Sequence, residues 1–122
     1  MFTTIAVLAT MGYFIVFGAG FVARPDLIDR FGLGITRNAG RTEVRCYYGM
    51  VSWALAGFLG WLLAHDRGRD ALVGALFLAG AVLLGRIVGT IVDDARDDPY
   101  TRVAIPTETI FVFLLAIAVC LS

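Results

Sequence analysis

The sequence predicts an all-α, polytopic membrane protein: a four-transmembrane-helix bundle with a short interfacial helix in the first loop. Of the 122 residues, 59% are hydrophobic and only 16% are charged, whereas soluble domains usually carry about 25% charged residues. All the charged residues except Arg45, Arg86 and Glu108 fall in three short segments, which separate four long apolar stretches. This composition excludes a disordered chain, a collagen-like chain and an ordinary soluble enzyme.

The first predicted span covers residues 2–23, where no charge interrupts the apolar sequence. At 1.5 Å per residue this stretch is long enough to cross a hydrocarbon layer of about 30 Å. It has no basic segment before it and is longer than the apolar part of a signal peptide, so we interpret it as a retained helix. Arg24 and Pro25 end the span, because proline disfavours helical backbone at the residue before it.

The first loop contains a short helix signal of its own. Pro25 and Asp26 can begin a helix that places Leu27, Ile28 and Phe31 on one apolar face. The glycines that follow Phe31 are residues that commonly end a helix. A short amphipathic segment of this kind is typical of a helix that lies on the bilayer surface.

The other three spans are predicted over residues 44–64, 71–92 and 103–121. We expect residues 36–41 to form a turn that leads into the second span. Only six residues link the second span to the third, so these two helices should form an antiparallel hairpin. Pro106 suits the first turn of the fourth helix, where its missing N–H is no loss. The chain is therefore predicted to be a single membrane domain, residues 1–122.

Four spans put both chain termini on the same side of the membrane. The arginines of the first and third loops favour a cytoplasmic location for that side, but the second loop is the most basic per residue. The positive-inside rule therefore leaves the orientation open. We expect a multi-pass protein of the cell membrane, of the bacterial inner-membrane type.

The residues that usually bind metals or form disulfides are scattered. Cys46 and Cys120 fall at opposite faces of the bilayer, too far apart for a disulfide, which needs Cα atoms within about 7 Å. His65 is the only histidine and lies at a helix end, and no set of ligands has the spacing of a zinc site. The acidic loop Asp93–Asp98 lacks the spaced oxygens and the glycine of a calcium loop. We predict no metal and no cofactor.

Three ionisable residues, Arg45, Arg86 and Glu108, lie inside the predicted spans. Arg86 and Glu108 fall about 9 Å and about 7.5 Å below the same membrane face, on consecutive helices. An unpaired charge costs about 2.5–3.5 kcal/mol at the helix centre, so we expect these two side chains to pair. Glu43 and Tyr48 lie on the same side. We predict a polar cluster of these five residues, with either a ligand-binding or a purely structural role.

Small residues recur along the predicted helices at spacings that allow backbones to approach closely. The candidates for helix packing are Gly12, Gly20, Gly49, Gly57, Gly85 and Gly89, and Gly60 lies near the same stripe of the second span. Contacts inside the bundle are one interpretation, and contact with another membrane protein is the alternative.

The polar residues also form a recognisable pattern. Asn38 and the segment Glu43–Gly49, followed by Gly85 and Arg86 and by a glutamate early in the fourth span, resemble a family of small bacterial membrane proteins with four predicted spans. The likeness covers nearly the whole chain, although Met50 stands where the family pattern has a second glycine. The resemblance implies the same fold and the same grouping of polar residues, and it brings no activity with it.

Two functions fit these observations. The first is a non-enzymatic accessory or structural subunit of a larger membrane complex, of a respiratory or photosynthetic type, with lipid and other membrane subunits as partners. The alternative is a protein that binds or transports a small molecule, a lipid or a quinone through the Arg/Glu cluster. An enzyme with Glu108 as base and Tyr48 as acid ranks third, because two such residues do not define a reaction. A formal net charge of +0 gives no reason to expect nucleic acid.

Overall fold

The computed structural model describes residues 1–122, and it contains helices and short loops without any strand. The α-helices are α1 (Phe2–Ala23), α2 (Asn38–Val44), α3 (Val51–Ala64), α4 (Gly68–Val92) and α5 (Pro99–Leu121). A 3₁₀-helix forms in the first loop and a π-helix joins α2 to α3; their bounds are Pro25–Phe31 and Arg45–Met50. The chain forms two compact units, which we name the first-loop unit (Val7–Asp66) and the hairpin unit (Met1–Ala6 with Arg67–Ser122).

Four helical stretches are long and apolar enough to cross a membrane. They are α1, the continuous run Asn38–Ala64, α4 and α5, with lengths of 22, 27, 25 and 23 residues. Large apolar side chains cover the outside of these helices; Phe77, for example, is 77% exposed and Phe113 is 69% exposed. An apolar exterior is what a lipid-facing surface requires. The prediction of an all-α chain with four such helices is therefore confirmed.

The short helix of the first loop is present, but as a 3₁₀-helix. Pro25 occupies its first turn, and Gly32 ends it in the left-handed conformation at φ 79°, which glycine adopts without strain. The face predicted from Leu27, Ile28 and Phe31 turns toward the protein: Ile28 is buried, and the other two pack against the same core.

That core joins the 3₁₀-helix to α1 and to the start of the second span. Its buried members are Phe21, Ile28 and Val44. Aromatic rings surround them, with the centroids of Phe21 and Phe31 5.5 Å apart. Tilted ring pairs at such separations stabilise a contact beyond the area that they bury.

The backbones of α1 and of the second span approach closely at two glycines. A Cβ at Gly18 would lie 2.6 Å from Cδ1 of Trp53, and a Cβ at Gly49 would lie 2.5 Å from Cγ2 of Val22. Trp53 also donates a hydrogen bond from Nε1 to the carbonyl oxygen of Ile15, at 3.0 Å. Only glycine fits at positions 18 and 49 without displacing these neighbours.

In the hairpin unit, α4 and α5 pack against each other. On α5 the buried or half-buried residues recur at steps of three and four, the period of one helix face. They include Thr101, Ala104, Glu108, Phe111, Leu115 and Ala118, beside which Ile105, Val112, Ala116 and Val119 are also half-buried. This face of α5 therefore includes a glutamate among apolar and small residues.

Three predicted helix starts are wrong. The second span begins at Asn38 rather than after a turn over residues 36–41. Arg41 on α2 forms a bidentate ion pair with Asp26, at 2.8 and 3.0 Å, and this pair holds α2 to the 3₁₀-helix. The last helix begins at Pro99, where the side chain of Asp98 caps it. Pro106 consequently lies inside α5 and not in its first turn. The third helix starts slightly early as well, at Gly68.

Candidate functional site

The structure distributes the five predicted cluster residues over both units. Glu43, Arg45 and Tyr48 belong to the first-loop unit, and Arg86 and Glu108 belong to the hairpin unit. Each unit therefore presents a polar site of its own, one around a charge pair and one around a cavity.

Arg86 and Glu108 meet inside the hairpin unit, as the matched depths predict. Nε of Arg86 donates to Oε2 of Glu108 at 2.7 Å, and each side chain is 25% exposed. Arg86 comes six residues before the end of α4, and Glu108 lies nine residues after the start of α5. The short loop between the two helices brings these positions to the same level. The carboxylate thus compensates the guanidinium charge within the unit.

Tyr100 is a third member of this charge pair that the sequence reasoning missed. The guanidinium carbon of Arg86 lies 5.2 Å from the centroid of the Tyr100 ring, a distance at which the ring face attracts a cation. The sequence places Tyr100 before the fourth helix, whose predicted start is residue 103. The signal that could have found it is Asp98 followed by Pro99, an N-cap residue and a proline at the first helical position.

Arg45 and Tyr48 lie in the π-helix at the start of the second span. The N–H of Val51 reaches back five residues to the carbonyl oxygen of Cys46, and the hydroxyl of Ser52 donates to the carbonyl oxygen of Tyr48 at 2.9 Å. Short π-helical segments are rare and are frequent at functional sites. Arg45 is exposed, and it forms no ion pair within its unit.

A cavity of about 460 Å³ opens beside the π-helix, between the 3₁₀-helix, the chain that follows it and α2. Its apolar lining includes Ile28, Leu33, Ile35 and Val44, and its polar lining includes Thr36, Arg37, Glu43 and Tyr48. This volume falls within the range of small-molecule sites, about 300–1,000 Å³. We call it the first-loop cavity. Two predicted site residues, Glu43 and Tyr48, thus share one concave site, and Arg45 is not part of its lining.

Tyr48 is the best-fixed polar residue of the first-loop cavity. Its ring lies 5.6 Å from that of Phe21 and 6.4 Å from that of Phe31, measured between centroids. By contrast, Arg37 and Glu43 are exposed. Neither of these two forms an ion pair within the unit, whereas Arg41 between them is held by Asp26. The cavity therefore combines a rigid aromatic wall with one cation and one carboxylate that are open to a ligand.

The predicted packing glycines have different surroundings. Gly49 is in close contact with α1, and Gly18, which the sequence reasoning did not select, is its counterpart there. A Cβ at Gly60, which lies near the predicted stripe of the second span, would approach Cε of Met11 at 2.9 Å, a second close point. The signal for Gly18 is its small size alone, which does not distinguish it from the other helical glycines.

The remaining predicted glycines are less crowded. A Cβ at Gly20 would have an ordinary contact of 3.6 Å with Leu27. At Gly89 the nearest such atom is Oδ2 of Asp93, at 3.8 Å. No atom of the same unit lies within 4 Å of a Cβ built at any of the others, Gly12, Gly57 and Gly85. Their units give no steric reason for glycine at these positions.

The side chains that usually bind metals are dispersed. The structure brings together no three His, Cys, Asp or Glu residues that could hold a metal ion, and Cys46 and Cys120 are free and exposed. In the acidic loop, Asp94 and Asp97 pair with Arg96 and Arg102, at 3.6 and 3.1 Å, on the surface.

No protein-family profile, curated protein or solved structure matches this chain. The resemblance to the family of small bacterial membrane proteins therefore stays a prediction from the residues that carry it. Functional inference rests on the charge pair of the hairpin unit and on the first-loop cavity.

Proposed function

We propose that this chain is a non-enzymatic, multi-pass membrane protein that binds a small amphipathic molecule in the first-loop cavity. The observation that carries the proposal is the composition of the cavity wall. Leu33 and Ile35 offer an accessible apolar surface beside the buried side chains of Ile28 and Val44, while Arg37 and Glu43 offer charges at the same opening. A wall that is mostly apolar with a few polar groups is typical of a ligand site.

The geometry favours the first-loop cavity over the Arg86–Glu108 pair as the ligand site. Arg86 already has a carboxylate at 2.7 Å and an aromatic ring beside it. A ligand that replaced Glu108 would leave that carboxylate without its partner, at a cost of several kcal/mol in a region of low dielectric. We therefore assign the pair to the stability of the hairpin unit and the binding role to the first-loop unit.

Filling the cavity tests this proposal. Ala39 lines the cavity and is exposed, so Ala39→Phe should occupy the space that the ligand needs. Ala54→Phe is the matched control, because Ala54 is exposed on α3 and does not line the cavity. Both variants and the parent protein are purified in mild detergent, and bound small molecules are extracted and identified by mass spectrometry.

We expect a bound amphipathic molecule in the parent protein and in Ala54→Phe. The same molecule should be absent from Ala39→Phe. The same molecule recovered in equal amounts from all three proteins would contradict the proposal, provided that their thermal unfolding is alike.

Our second proposal is that the chain is an accessory subunit of a larger membrane complex, of a respiratory or photosynthetic type. The observation that favours it is the open surface at Gly57 and Gly85, where no atom of the same unit would touch a Cβ. Small residues allow another helix to approach closely in a bilayer. Gly57→Leu should then abolish co-migration with a large complex in mild detergent while the isolated protein unfolds at the same temperature.

The cellular membrane that contains this protein is also a matter of proposal. We propose the inner membrane of a bacterium, which the family resemblance supports. Expression with a fluorescent tag and separation of inner and outer membranes by density would test this location.

A further inference from the structure

The first-loop cavity carries one positive and one negative side chain that have no ionic partner within their unit. Arg37 stands immediately before α2 with an extended backbone, and Glu43 lies on α2 six residues later. Six residues correspond to about 9 Å along a helix axis. The arginine between them, Arg41, does not line the cavity and is bound to Asp26 through both carboxylate oxygens. The cavity therefore offers a ligand one cation and one carboxylate on neighbouring turns of the same segment.

We propose that the first-loop cavity binds the headgroup of a zwitterionic aminophospholipid, with the phosphate at Arg37 and the primary ammonium at Glu43. This inference rests on the binding function proposed above and names its ligand class. A guanidinium presents several N–H donors to phosphate oxygens, and an ammonium presents three N–H donors to a carboxylate. Hydrogen bonds between ionised groups are the stronger ones.

The rest of the lining suits the apolar part of the same molecule. Leu33 is 47% exposed and Ile35 is half-buried, and these two form the accessible apolar wall, whereas Ile28 and Val44 are buried in the core beside them. The cavity lies in the loop between the end of α1 and the start of the second span, where lipid headgroups meet protein. A soluble zwitterion would use the two charges and leave this wall in contact with water, so the observations favour a lipid.

Other lipid classes can form fewer ionic hydrogen bonds with Arg37 and Glu43. An anionic headgroup without an amine would bring a negative charge toward Glu43, and a neutral quinone would leave both charges without an ionic partner. A choline headgroup has the positive charge but no N–H to donate to the carboxylate. An ion pair between exposed groups contributes up to about 1 kcal/mol, which corresponds to a difference in affinity of up to about fivefold.

The full-length protein, stripped of lipid by detergent exchange, provides the test. Phosphatidylethanolamine, phosphatidylcholine and phosphatidylglycerol with identical acyl chains are added in turn, and the bound fraction is measured by native mass spectrometry. We expect phosphatidylethanolamine to bind up to about fivefold more tightly than the other two. Equal affinities for the three lipids would overturn the inference.

Charge-removing variants assign the two ends of the headgroup. Glu43→Gln should abolish the preference for phosphatidylethanolamine over phosphatidylcholine, because it weakens phosphatidylethanolamine more than phosphatidylcholine. Arg37→Gln should weaken all three lipids by up to about fivefold. The matched controls are Asp29→Asn and Arg30→Gln, since both residues are exposed charges of the same loop outside the cavity lining. A change of preference in the controls as large as in the cavity variants would overturn the assignment.

Competition separates the lipid from a soluble source of the same chemistry. Free phosphoethanolamine should displace phosphatidylethanolamine only at far higher concentration, because it has no apolar part; displacement at equal concentration would overturn the assignment to a lipid. If Ala39→Phe removes a different amphipathic molecule and phosphatidylethanolamine shows no preference, the inference fails while the proposed binding function stands. If Ala39→Phe removes nothing, the binding function itself fails.

Discussion

Gly18 on α1 faces Gly49 on the second span so closely that a Cβ at Gly18 would lie 2.8 Å from the carbonyl oxygen of Gly49. Gly49 is part of the π-helix, and the same turn of the chain positions Tyr48 at the first-loop cavity. Helices in a bilayer gain little from burying apolar surface against each other, so close contact between backbones carries much of their association. The two glycines therefore support the ligand site that we propose.

We predict that Gly18→Ala destabilises the first-loop unit. The new methyl group would meet both Trp53 and the backbone oxygen of Gly49 at less than 3 Å, and overpacking of this kind costs about 1–3 kcal/mol. The control is Gly12→Ala on the same helix, where no atom of the unit lies within 4 Å of the added Cβ. Thermal unfolding in detergent measures both, and equal unfolding temperatures would contradict the close approach.

Trp53→Phe tests the hydrogen bond between the two helices. The substitution keeps an aromatic ring over Gly18 but removes the Nε1 donor that reaches the carbonyl oxygen of Ile15 at 3.0 Å. Interhelical hydrogen bonds in membrane proteins contribute about 0.6 kcal/mol on average, so we expect a modest fall in unfolding temperature. Trp61→Phe serves as control, because Trp61 is 52% exposed. A larger fall in unfolding temperature for Trp61→Phe than for Trp53→Phe would contradict a stabilising role of the hydrogen bond.

The sequence predicts the long helices well because their signal is physical and local. A stretch that lacks charge for the width of a bilayer has few alternatives to a helix, as in Phe2–Ala23, which begins and ends where predicted. The meeting of Arg86 and Glu108 also follows from helix rise and a short loop. These features can be predicted without knowing which side chains distant in the sequence contact each other.

Features that depend on tertiary contacts escaped the same reasoning. The first turns of the second span are stabilised by Asp26, fifteen residues from Arg41, and no local pattern reveals that bond. The π-helix and the close approach at Gly49 depend on how α1 lies against this segment. The first-loop cavity depends on the 3₁₀-helix turning inward at Ile28. Periodicity identifies which residues are apolar, but it does not show which backbone they contact.

Asp98→Ala should loosen the start of α5. The carboxylate of Asp98 accepts a hydrogen bond from the backbone N–H of Tyr100 at 2.8 Å, and loss of such an N-cap costs about 1 kcal/mol. Hydrogen exchange at Tyr100 and Thr101 should become faster, since the first turn would open more often. Asp97→Ala is the control, because Asp97 pairs with Arg102 on the surface and caps no helix. Unchanged exchange in Asp98→Ala would contradict the assigned helix start.

The most informative prediction concerns the energetic coupling of Arg86 and Glu108. Removal of either partner leaves the other charge unpaired in a half-buried position within a predicted span, so Arg86→Met and Glu108→Gln should each lower the free energy of unfolding by about 2–3 kcal/mol. The double variant should regain much of this loss, because it leaves no unpaired charge. Unfolding in detergent of the parent, both single variants and the double variant gives the coupling energy.

The same helix offers a matched comparison for that cycle. Arg67 and Asp70 pair at 2.7 Å beside the start of α4, with both side chains more than half exposed, and surface pairs usually couple by less than about 1 kcal/mol. Coupling for Arg86 and Glu108 that is no larger than for this exposed pair would show that the two charges do not depend on each other. Strong coupling with lipid binding retained in the double variant would assign the pair to the hairpin unit alone. Strong coupling with lipid binding lost would instead make the pair part of the binding function and move the ligand site away from the first-loop cavity.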